Sequence, residues 1–302
     1  MQDILTRAGC FIAIIILGYG LRRLGFFQEG DFKVLSKIAL KITLPAAIIT
    51  SFSGKEIDPS MLIIAVLGLG AGLIYVSLGY LLNMRAGKDQ QAFGMVNMSG
   101  YNIGNFTMPF VQSFLGPVGV ITTSLFDVGN ACVCLGGSYS LASIIKGSGK
   151  FSIKTIAKSL SKSAAFDCYI LMTVLSLLDI SLPAPVVSCA SIIGNANAFV
   201  AMLMIGVGFK LSGDRKQIGT ILKVLGVRYG IAIILAVVCF FLLPFELEMR
   251  QALVVLVFGP IASAAPAFTG DLNGDVGLAS AINSISIVCS IICIVTILLI
   301  ML

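Results

Sequence analysis

Long apolar runs alternate with short clusters of Lys, Arg, Asp, Gly and Pro from one end of the chain to the other. An α-helix needs about 20 such residues to cross a bilayer core about 30 Å thick. Set against their breakers, the runs predict about ten spans, at roughly 4–24, 34–53, 60–83, 89–115, 117–145, 163–181, 184–210, 218–243, 249–272 and 275–302. A β-barrel would instead show alternating segments of about 10 residues. The expected class is an all-α membrane protein. The first run, Ile4 to Phe26, lacks a basic leader and a small-residue cleavage site. It is expected to be a retained span rather than a signal peptide.

Composition agrees with the pattern. Of 302 residues, 58% are hydrophobic and 11% charged, and the mean hydropathy is +1.03. A soluble domain of this length could not hide that much apolar surface. Eight Cys lie inside apolar segments, none in a CxxC, so they read as small packing residues rather than redox or metal groups. The chain has no His, which removes the commonest proton shuttle and metal ligand and any HExxH site. No Walker motif is present, which argues against an ATP-driven pump. No acid–base or nucleophile constellation suggests an enzyme, and no cofactor or metal is expected.

Charge placement predicts orientation. Arg22, Arg23, Lys33, Lys37, Arg85, Lys88, Lys146, Lys150, Lys154, Lys158, Lys162, Lys210, Arg215, Lys216 and Lys223 fall at odd-numbered connections. Arg7, Lys55 and Arg250 fall on the other side, while Lys41 and Arg228 lie too deep to assign. The positive-inside rule then makes the odd connections cytoplasmic and places both termini outside, in a cytoplasmic membrane. The net charge of +6 therefore reflects topology and calls for no nucleic acid. In "KFSIKTIAKSLSK", Lys150, Lys154, Lys158 and Lys162 recur every four residues. This is either an amphipathic helix on anionic headgroups or a solvated basic loop.

The chain also repeats itself. "QQAFG" (90–94) resembles "RQALV" (250–254), "MPF" (108–110) matches "APAF" (265–268), and "LGPVGVITTS" (115–124) resembles "NGDVGLASAI" (273–282). The matches keep their order at a nearly constant offset, so the repeat covers about five spans. Segments 1–145 and 163–302 are the predicted repeats, joined by the basic connection 146–162. An odd number of crossings inverts one repeat relative to the other. Inverted repeats with sites near the midplane on discontinuous helices mark secondary transporters.

Helix breakers occupy matching places in both repeats. "NMSGYNIGNFTMPF" (97–110) carries Gly100, Gly104 and Pro109 inside span four, and "FGPIASAAPAF" (258–268) carries Gly259, Pro260 and Pro266 inside span nine. In hydrocarbon an unpaired backbone group costs several kcal/mol, so irregular backbone survives only within protein or beside water. Helix ends exposed at such breaks can hold an anion without a buried Lys or Arg. Asn102, Asn105, Thr107 and Ser263 supply side-chain donors and acceptors there. The plainer alternative is a pair of packing kinks whose Asn and Ser satisfy freed backbone groups. Pro45 is expected to kink or break span two.

Asp127, in the middle of span five, is expected to have a partner or a task. An Asp at a helix centre costs on the order of 2.5–3.5 kcal/mol on insertion scales. Proton carrier, cation ligand and salt-bridge partner of Lys41 or Arg228 are all open. Asn130 follows on the same face. Asn195 and Asn197 face different ways in span seven, where one lines the site or both bond between helices. Asn283 has no assigned role.

"LPAAIITSF" (44–52), "NIGNFTMPFVQSFLGPVGV" (102–120) and the two prolines of "PIASAAPAF" followed by "GDVGLAS" (274–280) resemble the auxin efflux carrier family, within a wider group that includes bile-acid and sodium symporters. The resemblance implies ten helices in two inverted five-helix repeats, divided into a scaffold and a transport domain. It implies that the fourth and ninth helices break and cross near Pro109 and Pro266. It implies elevator-like transport of small organic anions, and a homodimer through scaffold helices. The chain lacks the long central hydrophilic loop of many plant members, so a bacterial permease is the better match. The candidate substrate residues are then Asn102, Asn105, Thr107, Pro109, Ser263 and Pro266, and the candidate coupling residues Asp127, Asn130 and Asn195. The partners implied are a small organic anion, the lipid bilayer and a coupling Na+ or H+. The alternatives are a sodium- or proton-coupled exchanger whose breaks bind the ion, and a membrane sensor that binds without transporting.

Overall fold

The computed structural model describes residues 2–28, 30–147, 149, 152–209 and 217–302. Lys150, Lys210, Arg215 and Lys216, counted above for orientation, lie outside the described residues. The described chain is helical, with no strand.

Among the described residues, six helices are long and apolar enough to cross a membrane: Ile4–Arg23, Pro59–Leu81, Gly116–Lys146, Ala184–Gly208, Ile218–Phe241 and Val276–Met301. In chain order, α1 is Gln2–Arg23, and α2 (Asp31–Ile38) passes through a π-turn at Ala39–Thr43 into α3 (Leu44–Phe52). Helix α4 is Ile63–Leu81, α5 is Lys88–Met98 and α6 is Met108–Phe114. Helix α7 (Gly116–Cys132) continues through a π-kink at Val133–Gly137 into α8 (Ser138–Lys146). The second half holds α9 (Ile153–Leu160), α10 (Ala164–Leu177), α11 (Ala184–Asn195), α12 (Asn197–Gly208), α13 (Ile218–Phe241), α14 (Leu247–Val257), α15 (Ala265–Asp271) and α16 (Val276–Met301).

The other four expected spans are helical but short or interrupted. Span two carries Lys33, Lys37 and Lys41 and widens into its π-turn just before Pro45, which starts α3. Spans four and nine break in the middle. Span six is α10, preceded across an 83° bend by α9. Ser152 and Ser163 cap the two helices at that bend, their hydroxyls accepting from the N–H groups of Thr155 and Phe166. On α9, Lys154 and Lys158 are exposed, and Ile156 faces Gly136 in the π-kink.

Packing sorts the helices into two groups. Helix α1 packs on α12, α3 on α10 and α11, and α2 on α12. In the second, α4 packs on α5 and α7, α5 on α8, α15 and α13, α14 on α13 and α7, and α16 on α15 and α13, and the two groups meet where α7 packs on α3 and α10 and α6 on α12. Gly68 and Gly129 let α4 and α7 approach closely: a Cβ at either would strike the other helix's backbone. The apolar 18-residue stretch of Gly116–Lys146 is 72% buried against 17% for that of Ile4–Arg23, which places α7 at the centre and α1 at the rim. Large apolar side chains such as Ile16, Ile192, Ile234, Phe241 and Ile300 point outward, far more than a water-facing surface tolerates.

Candidate functional site

Span four stops being an α-helix at Met98, runs irregularly over residues 99–102, forms a π-turn at Ile103–Thr107 and resumes as α6. Span nine stops at Val257 and resumes at Ala265. The breaks touch: the Asn102 N–H donates to the Pro260 carbonyl at 2.9 Å. Pro109 and Pro266 both sit at the start of the second half-helix, where a missing N–H costs nothing.

Each break leaves backbone groups in need of partners, and an Asn on the following span serves each. The Asn130 amide oxygen accepts from the Tyr101 N–H at 2.9 Å, and its nitrogen donates to the Tyr101 carbonyl at 3.0 Å. The Asn283 amide donates to the carbonyls of Ile261 and Ala262 at 3.1 and 3.2 Å. The Ser286 hydroxyl accepts from the Ile261 N–H at 3.2 Å. Gly100 turns the chain at φ +70°, a conformation that costs Gly almost nothing and other residues much more.

A cavity of about 130 Å³ opens beside the breaks. That is smaller than a drug-sized site of roughly 300–1,000 Å³ and suits a small solute. The first break contributes Asn102 and Asn105, the second contributes Ser263, α7 contributes Asp127 and Asn130, and α10 contributes Tyr169. Five of the nine candidate residues therefore share this cavity. Thr107 is buried beside it against Gly259 of the other break. Pro109, Pro266 and Asn195 do not line it. Asn195 is exposed at the α11–α12 junction. Asn197 is buried, accepting from the Thr43 hydroxyl at 3.0 Å and donating to Gln112 at 3.1 Å.

Asp127 has neutral partners. Its carboxylate accepts from the Asn130 amide at 2.8 Å and from the Tyr169 hydroxyl at 3.0 Å, and no ion pair to it is found among the described residues. Neither Lys41 nor Arg228 pairs with it: Lys41 is exposed, and Arg228 is spent on backbone carbonyls of the two breaks. Asn105 is 7% exposed, and its buried Oδ1 has no hydrogen-bond partner among the described residues. An orphaned buried amide oxygen is costly, and this one belongs to a residue that lines the cavity.

Tyr101, Tyr169, Cys134 and Arg228 escaped the reading of the sequence as site residues. The signal for Arg228 was there, as a charge in the middle of an apolar helix. The tyrosines carried none.

Long apolar helices around a buried polar cavity, with two helices broken beside it, define a multi-pass membrane protein. A family model described as "Membrane transport protein" matches residues 10–162, just over half of the chain. The chain belongs to that family, the auxin efflux carriers. It is also similar to an "Uncharacterized transporter" of Methanothermobacter thermautotrophicus, 24% identical over 147 residues. That match spans 47% of this chain and about half, 49%, of the relative's length.

Proposed function

We propose that the protein is a secondary carrier that moves a small organic anion, a mono- or dicarboxylate, across the cytoplasmic membrane. The observation that carries this reading is the position of the cavity. It lies between the two helix groups, with the breaks and α7 on one side and α10 with Leu40 on the other. A site in such a seam changes its exposure when one group slides past the other. The group of α4, α5, α7, α8 and α13 to α16 is then the transport domain, and α1 to α3 with α10 to α12 the scaffold. The proposed topology is ten crossings in two inverted repeats with both termini outside. A homodimer through scaffold helices belongs to the same reading, and molecular mass in detergent tests it.

Substrate binds at Asn102 and Asn105 in this proposal, because the unpartnered Asn105 amide has both a donor and an acceptor to give a carboxyl group. Asp127 is the proposed proton carrier. A carboxylate beside a bound anion raises the energy of both unless one takes a proton. The hydrogen bond from Tyr169 to Asp127 crosses the seam between the groups, so loss of the charge also loosens the outgoing contact.

Uptake into proteoliposomes of labelled malonate, malate, an amino acid and indole-3-acetate tests the reading, with and without sodium and proton gradients. Saturable uptake of an acid driven by a proton gradient is expected. Asp127→Asn is expected to leave exchange running and to abolish the response to the proton gradient. Full gradient-driven uptake in that variant would place the coupling elsewhere. Absence of flux for every acid, from folded protein, would favour a sensor that binds without transporting.

A further inference from the structure

Arg228 is the largest of the fully buried side chains, at 1% exposure, near the middle of α13. No acidic side chain pairs with it among the described residues. Three backbone carbonyls meet its guanidinium instead: Met98 at 2.6 Å, Gly100 at 2.9 Å and Gly259 at 2.9 Å. The rings of Tyr75 and Tyr101 flank it at 4.9 and 5.0 Å. Tyr75 is itself held, its hydroxyl donating to the Arg228 carbonyl at 2.9 Å.

These carbonyls share an origin. Met98 ends α5 and Gly100 follows it, while Gly259 lies two residues past the end of α14. A helix C-terminus carries unsatisfied carbonyls and about half a negative charge. Two such ends converge on one point here, from the two breaks. In discontinuous-helix transporters generally, unwound carbonyls and half-helix C-termini are what coordinate a coupling cation. Here a side chain fills that cage. The fork of a guanidinium suits it, because several N–H groups reach separate oxygens at once.

We propose that Arg228 is the resident cation of the paired breaks. Its guanidinium occupies the carbonyl cage in which an alkali cation would otherwise bind, so the crossing needs no inorganic ion. Tyr101 both lines the cavity and stacks on Arg228, so the fixed positive charge lies one ring behind the cavity wall. There it attracts an anion without touching it. Arg228 is thus a positioning residue, holding both breaks in register. Only the attraction of an anion rests on the carrier reading.

The test is thermal unfolding of the purified protein in sodium, potassium and choline chloride at equal ionic strength. The wild type is expected to unfold at the same midpoint in all three. Arg228→Ala in choline is expected to fall by roughly 10 °C, since an unmet carbonyl cage replaces a filled one. Sodium, potassium or low methylguanidinium should then restore part of the loss in a saturable way that the wild type does not show. Arg228→Gln, which keeps two donors and loses the charge, gives the same reading if the alanine variant does not fold. Saturable stabilisation of the wild type by an alkali cation would overturn the proposal. So would variants that no cation stabilises beyond the wild type. None of these readings involves substrate, so failure of the carrier reading would show separately, as absent uptake.

Discussion

The two breaks solve one backbone problem in one way and then part company. At the first, residues 99–107, Asn130 holds both the N–H and the carbonyl of Tyr101. At the second, residues 258–264, Asn283 holds two carbonyls and Ser286 one N–H. Both deliver a carbonyl to Arg228. Their side chains differ. The first break turns Asn102 and Asn105 toward the cavity, next to Asp127, whereas the second offers Ala262, Ser263 and Ala264. The shared scheme therefore serves the backbone, while most of the cavity's polar side chains come from the first break and α7. Breaking and crossing two helices in lipid needs backbone partners at both breaks, but under the proposed function one solute needs only one polar wall.

The comparison can be broken most forcefully at the glycines. An Ala at position 100 must adopt φ +70° and would press its Cβ into the Cys134 sulfur. Strain and overpacking together should cost about 3 kcal/mol or more, a large drop in the unfolding midpoint. Cys134→Ala in the same protein should return the packing share and leave the backbone share. Gly259→Ala needs no positive φ, and its Cβ would meet the Thr107 hydroxyl at 2.8 Å and the Leu256 carbonyl at 3.0 Å. It should cost less, about 1–2 kcal/mol. Equal losses would mean that the first break is not the more constrained one.

The asparagines come next. Asn130→Ala strips the Tyr101 N–H and carbonyl of their partner and removes a donor from Asp127. That should cost about 2–4 kcal/mol, at roughly 1–3 per orphaned group. Asn283→Ala orphans two carbonyls and no N–H, and about 2 kcal/mol is expected, the low end of the same range. Denaturation of the two variants side by side sets the ratio. A reversed order would show that the second break is the one carrying the frame.

Much of this was legible in the sequence because breakers inside apolar runs are rare and costly. Gly100, Gly104, Asn102, Asn105 and Pro109 together mark the first break, and Pro260 with Pro266 marks the second. Pro109 and Pro266 misdirect by a turn. They begin the outgoing half-helices, where the missing N–H is free, and so stand beyond the cavity wall. The partners of Asp127 and Arg228 were not legible. Tyr169 lies 42 residues from Asp127, and nothing distinguishes it from a packing tyrosine. Arg228 is met by carbonyls, which leave no trace in residue identity. Asn195 and Asn197 show a limit of periodicity: two residues apart on a helix, they face different neighbours, and only packing says which is inside. Span two, expected at 34–53, is helical over 31–52, whereas span six, expected to reach 181, ends its helix at Leu177. Hydropathy counts apolar residues and does not see a π-turn or the cap that ends a helix.

The sharpest separation of chemistry from frame comes from the smallest changes in stability. Asn105→Ala removes an amide that bonds to nothing described within the fold, so the unfolding midpoint should hardly move. Substrate affinity should nonetheless weaken about tenfold or more, equivalent to about 1.4 kcal/mol of binding. Ser263→Ala is the matched change on the other wall. Ser263 lines the cavity but is exposed, with no hydrogen bond that the break depends on. Its loss should alter stability by less than about 0.5 kcal/mol, the usual range for such a surface site, and affinity by no more than about threefold. Binding of the transported acid to both variants, by calorimetry or by competition for uptake, decides the matter. If Ser263→Ala weakens affinity as much as Asn105→Ala does, substrate is gripped between the breaks, and the one-sided wall gives way to a two-sided clamp.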